Sequence, residues 1–156
     1  MAGQRIATVE HDSPEARDHP LIREFVELVD ASAADGVLTL KTFQTPPFMK
    51  FWESALIYDL DDDRADLTVR FFGSRLVDAY DRDCTGGKFS DMGYGEHEDY
   101  FQRQNLAACL DGERTYVRGR HYWNDKNYFI CHQVKMPLRL PAGTPAMILI
   151  LAIEPE

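Results

Sequence analysis

Residues 146–153 read Ala-Met-Ile-Leu-Ile-Leu-Ala-Ile, and this run constrains the fold more than any other segment. Its length and its aliphatic content fit a β-strand. Successive side chains of a strand point to opposite faces, yet both alternating sets are apolar here. One set can face an internal pocket. The other must also be covered, because a monomer rarely exposes a large contiguous apolar patch. The best cover within the chain is a helix over residues 18–35, with Asp18 as N-cap, Pro20 in the first turn and Gly36 as stop. Its apolar stripe of Leu21, Phe25, Leu28 and Val29 would dock on the outer face. A second copy of the same surface could complete the cover as a two-fold homodimer.

The remaining segments supply a sheet for that strand. Strands fit residues 56–60 and 67–73, joined by the acidic turn Asp61-Asp62-Asp63-Arg64. A short helix fits 74–80, glycines interrupt the chain at 86–87 and at 93 and 95, and a longer helix fits 96–110. Strands at 114–123 and 128–139 flank the turn Asn124-Asp125-Lys126-Asn127. Residues 1–17 are polar and aperiodic and read as a mobile tail. At 156 residues, the chain matches about one domain of roughly 150 residues, placed here at 18–156.

Charge and cysteine usage exclude several classes. The chain has 26 Asp+Glu and 17 Lys+Arg, for a net charge of -9. Residues 1–66 hold 14 of the acids and 6 of the bases, so the negative field sits on the first part of the chain. Nucleic-acid binding needs a basic surface, and only Arg114, Arg118 and Arg120 form a basic strip, so no nucleic-acid partner is expected. Three widely spaced cysteines, Cys84, Cys109 and Cys131, make neither a disulfide framework nor a zinc ribbon. No apolar run reaches about 18 residues and no secretory leader is evident. A cytoplasmic protein without membrane attachment is expected.

Residues 67–92, LTVRFFGSRLVDAYDRDCTGGKFSDM, resemble a group of bacterial PAS-like domains. In that group a strand ends in Gly, runs into a short helix and is followed by a Thr-Gly turn. The matching positions are Gly73, the helix near 74–80, and Thr85-Gly86, with Met136-Pro137-Leu138 fitting a later strand. The resemblance covers roughly residues 18–154. It implies an α+β, PAS-like fold: a five-stranded antiparallel sheet with helices inserted between strands 2 and 3, here with an added N-terminal helix. It also implies a sensory or regulatory module in signal transduction, without fixing a ligand or an output. Photosensory members carry a flavin-reactive Cys where this chain has Phe89, and Cys84 does not match that position, so flavin–Cys photochemistry is not expected. His97 reads as a surface residue at a helix start rather than a haem ligand. No cofactor is assigned.

The late hairpin carries the candidate site. A four-residue turn would pair Trp123 with Tyr128 and His121 with Ile130. The more apolar face then holds Val117, His121, Ile130, His132, Val134, Met136 and Leu138. Arg118, Arg120, Cys131, Gln133 and Lys135 fall on the other face. Turned inward against the helix at 96–110, the apolar face makes a pocket with His121 and His132 as diagonal neighbours roughly 7–8 Å apart. Phe71, Met136 and Ile148 or Leu149 lie nearby. Asp59, Asp61 and Asp63 have calcium-loop spacing, but the sixth and twelfth loop positions hold Arg64 and Arg70 instead of Gly and Glu, so a solvated turn is the reading. No GxSxG, HExxH or Walker loop is present, so no catalytic residue and no metal ligand are assigned.

The expected function is a stand-alone sensory module that binds a small molecule or a protein partner. With nothing after Glu156 to serve as output, it would act in trans on a signalling protein. The alternative is a small cone-shaped α+β enzyme like ketosteroid isomerases, although their helices mostly precede the sheet. A dimerisation domain with a filled core is a third reading.

Overall fold

The computed structural model describes residues 10–120 and 129–155. Its centre is one sheet. Strands β1 (Glu10–His11), β2 (Leu38–Thr39), β3 (Ala55–Leu60), β4 (Leu67–Phe72), β5 (Thr115–Arg120), β6 (Phe129–Arg139) and β7 (Pro145–Pro155) contribute to it. Six of them run in the order β1-β5-β6-β7-β3-β4, and β2 pairs with β6. The five long strands pair antiparallel throughout, whereas β2 lies parallel to the end of β6, Leu38 opposite Leu138. The five-strand expectation is therefore extended by two short strands. β5 reaches only Lys135 of β6, and β2 takes up backbone groups of β6 beyond that point, which answers the edge-strand problem locally.

Five α-helices flank the sheet: α1 (Pro14–Asp18), α2 (Pro20–Ser32), α3 (Leu40–Phe43), α4 (Ser74–Tyr80) and α5 (Glu98–Asp111). A long 3-10 segment, Pro46–Ser54, precedes β3. α4, two short 3-10 turns and α5 all lie between β4 and β5, the second and third long strands. The stretch read as a tail through residue 17 already carries β1 and α1 among its described residues. Asp18 ends α1 instead of capping the next helix. The cap of α2 is His19, whose Nδ1 accepts a hydrogen bond from the Leu21 N–H at 3.2 Å.

β7 is covered on both faces, as its sequence demands. Ala146, Ile148 and Ile150 join the buried cluster beneath α2, with Ile22, Phe25 and Val29. Met147, Leu149 and Leu151 join the opposite cluster beneath α4 and α5. Each buried aliphatic side chain contributes roughly 1.5–3 kcal/mol, so both layers are held by burial. On the α2 side, Phe25 packs edge-on against Phe51, Phe48 and Phe43, with centroids 5.1, 6.1 and 6.5 Å away. Gly73 fixes the other layer. A Cβ there would meet the carbonyl oxygens of Trp52 and Glu53 at 2.5 Å, so only glycine lets β4 turn into α4 against the 3-10 segment.

Candidate functional site

The polar groups with the least ordinary surroundings lie between the sheet and α5. β6 directs Gln133 and Lys135 to that side, β3 adds Tyr58 and β7 adds Leu149. α5 contributes Phe101, Gln104 and Asn105, and the loop before it contributes Phe89 and Tyr94. These residues, Gln104 apart, line a small cavity of about 10 Å³, about the room one water needs.

Lys135 is 2% exposed. Its Nζ donates to Gln104 Oε1 at 3.0 Å and sits 4.7 Å from the centroid of Phe101. It has no carboxylate partner among the described residues. Burial alone lowers its pKa from 10.5 to about 7, because a low-dielectric site disfavours the ammonium form. Tyr58, 1% exposed, and Gln133, 9% exposed, each keep an oxygen without a hydrogen bond of normal geometry among the described residues. Tyr94 Oη lies 2.7 Å from Tyr80 Oη and also interacts with Tyr58, and burial pushes its phenol up to about 12. The chamber thus presents one amine, several neutral phenols and amides, and an aromatic wall.

The residues proposed from sequence lie elsewhere. His121 falls outside the described residues. His132, Phe71, Met136 and Ile148 do not line a pocket against α5. Met136, Ile148 and Phe71 belong to the layer under α2, and His132 faces the same way. Its ring lies 4.9 Å from that of His19, and its Nε2 is 2.8 Å from Glu154 Oε1. That hydrogen bond is the main cause holding the Glu154 carboxyl below its usual range. The reason for the inversion is that both faces are covered, so the more apolar face of β6 turned toward α2, not α5. The hairpin register also differs by one residue from the expected pairing, with Arg118 opposite His132 and Thr115 opposite Lys135, which changes the β5 residues that share each face. Lys135 and Gln133, read from sequence as outward, are the buried polar pair. Two long polar side chains alternating with Val134 and Met136, in a strand covered on both faces, were the available signal. Of the cover residues, Phe25 and Val29 are buried, and Leu21 and Leu28 are half-buried against the same cluster.

Other polar groups serve the fold. Arg114 reaches Asp30 Oδ1 at 2.7 Å and the Gly36 carbonyl at 2.9 Å, and Arg118 lies 3.9 Å from Glu15, so these two residues of the basic strip are engaged with acids. Asp59 accepts from Arg70, Asp61 from Thr68 and Lys88, and Asp63 from the Ala65 N–H. These aspartates tie the hairpin together. An open cleft of about 550 Å³ lies between the start of α2, the 3-10 segment, α4 and the end of β7. Its lining includes Asp78, Arg75, which pairs with Glu53 at 2.8 Å, and Lys50, which pairs with Glu24 outside the lining. No helix among the described residues is long and apolar enough to cross a membrane.

No family model and no curated protein matches the chain. Among solved structures it is similar to the VqmA dimer of Vibrio cholerae, presented with LuxR-type receptors and their DNA-binding mechanisms. That match has a TM-score of 0.50 at 17% identity, over 64% of this chain and 45% of that one. It is also similar to an RNA-binding light-oxygen-voltage receptor, with a TM-score of 0.46 at 15% identity, over 72% of this chain and 33% of that one. The chain spans less than half the length of either. At such identities the likeness concerns the fold alone. It lends no support to excluding nucleic acid as a partner.

Proposed function

We propose that the protein is a PAS-like sensory module that takes a small molecule into the chamber between the sheet and α5. Five long antiparallel strands with a helical segment between the second and third support the PAS-like assignment. β1 and β2 are additions to that plan. The observation that carries the ligand reading is the buried amine of Lys135, without a carboxylate partner among the described residues, beside a Gln133 oxygen that makes no hydrogen bond of normal geometry among them. Burying such groups costs free energy unless they are paired, and a chamber built around that cost suits recognition. On this reading the protein does no chemistry of its own and signals through a partner.

The competing reading is an interaction module with a filled core, and the small size of the cavity favours it. Native mass spectrometry of gently purified protein separates the two, combined with amide resonance mapping as the released small-molecule fraction is added back. The ligand reading expects a bound small molecule whose return shifts the amides of Tyr58, Phe101 and Lys135. A ligand-free protein whose chamber resonances respond to no member of a metabolite library would leave the filled-core reading in its place.

A further inference from the structure

Resting on that reading, we infer that the ligand of the chamber is a small organic acid, bound as its anion with Lys135 Nζ as counter-charge. A buried ammonium group is ordinarily matched by a carboxylate. Here the titratable groups that line the chamber with it are the phenols of Tyr58 and Tyr94, with Tyr80 and Cys131 behind them, and burial raises the pKa of each. All are therefore neutral near pH 7, and none supplies a negative charge. The other polar neighbours, Gln104, Gln133 and Asn105, are uncharged amides. The chamber has a place for one positive charge and nothing of its own to balance it.

The geometry also describes the rest of the ligand. The ring of Phe101 flanks the amine on one side, and Phe89 stacks on Tyr94 at 5.2 Å. These flat apolar surfaces suit a compact ring or a short hydrocarbon body attached to the acidic group. The Tyr58 hydroxyl, whose neighbour is the Tyr94 phenol, can turn its proton to a second oxygen of the anion. The cavity of about 10 Å³ is smaller than any such molecule, so uptake displaces α5 from the sheet. α5 packs Phe101 and Ala108 into the core, with Tyr100, Leu106 and Cys109 beside them, so a shift of the helix costs apolar contact that the body of the ligand must replace.

An anion beside Lys135 holds its amine protonated. Since the amine of the empty protein has a pKa of about 7, binding above that pH draws a proton from solvent. The test compares benzoate with benzamide, and then other monocyclic carboxylates with their amides, on the full chain. Affinity is read from chamber resonances, and proton uptake from calorimetry at pH 8 in two buffers of different ionisation enthalpy. The expected result is a preference for acids of at least tenfold and uptake of most of one proton. Lys135→Met should lose that preference, and with it the proton uptake. Amides binding as tightly as acids would overturn the inference while leaving the chamber as a ligand site. So would acid binding without proton uptake, a measurement that needs no variant. If no compound shifts the chamber resonances, the ligand reading fails and this inference fails with it.

Discussion

Lys135 shows what one residue costs and where that cost is visible. In the unfolded chain its amine has the ordinary pKa of 10.5, and in the folded protein burial lowers it to about 7. Between these values the unfolded state binds the proton that the folded state rejects. Stability therefore rises as pH increases through that window, by up to about 1.4 kcal/mol per pH unit. Below about pH 7 both states are protonated and the penalty is constant. Urea titrations at pH 7.5 and pH 9.5 should show the wild type gaining about 2–3 kcal/mol relative to Lys135→Met over this interval. The variant should be the more stable of the two at pH 7.5, because an apolar side chain replaces a group whose charging is penalised. Parallel pH profiles for the two proteins would mean that the amine is solvated after all. His132 makes the contrast. It is equally buried, but its Nε2 is bonded to Glu154 at 2.8 Å, and the carboxylate reaches solvent.

At the scale of elements, the junction at Gly73 decides how the helical layer meets the sheet. Its N–H donates to the Ala55 carbonyl at 2.9 Å, and the carbonyls of Trp52 and Glu53 occupy the space a Cβ would need. Three elements, β4, α4 and the 3-10 segment, therefore converge on one residue without a side chain. Those atoms are backbone and cannot swing aside. Gly73→Ala should cost roughly 1–3 kcal/mol, as overpacking does in a filled site, and should lower the urea midpoint with an unchanged slope. An alanine variant with wild-type stability would show that the junction yields freely. The same convergence explains the local sequence pattern: a strand ending in Gly and running directly into a helix is the form this packing requires.

For the whole molecule the governing fact is that the sheet is sandwiched. α2 buries Ile22, Phe25 and Val29 against β6 and β7, so the outer face needs no second copy to keep it from water. Among the described residues the large exposed hydrophobics are Met49 and Leu110, which form no continuous face. Phe25 is the keystone of that layer, touching three other phenylalanines. Phe25→Ala should destabilise the whole domain by about 3–5 kcal/mol, seen as one cooperative shift in thermal and urea unfolding alike. Loss of α2 helicity with an otherwise unchanged midpoint would instead mark α2 as an independent appendage.

What the sequence determined by itself was the five long strands, the main helices and the need for two layers, whereas β1, β2 and α1 came only with the structure. The strands near 56–60, 67–72, 129–139 and 146–153 were legible because apolar side chains of period two, bounded by turns, have few other uses. The double cover of β7 was legible because both of its alternating sets are apolar, and the stripe of Phe25 and Val29 was legible as one cover. Which layer each face of β6 meets was decided only in three dimensions. With both faces buried, hydrophobicity no longer distinguishes inside from outside, and a change of one residue in hairpin register re-pairs every side chain across the strands. His132 and Met136 therefore turned toward α2, and Lys135 and Gln133 turned toward α5. The isolation of the Lys135 amine is likewise a tertiary property. It depends on which neutral groups three distant segments bring to one point, and local spacing does not encode that.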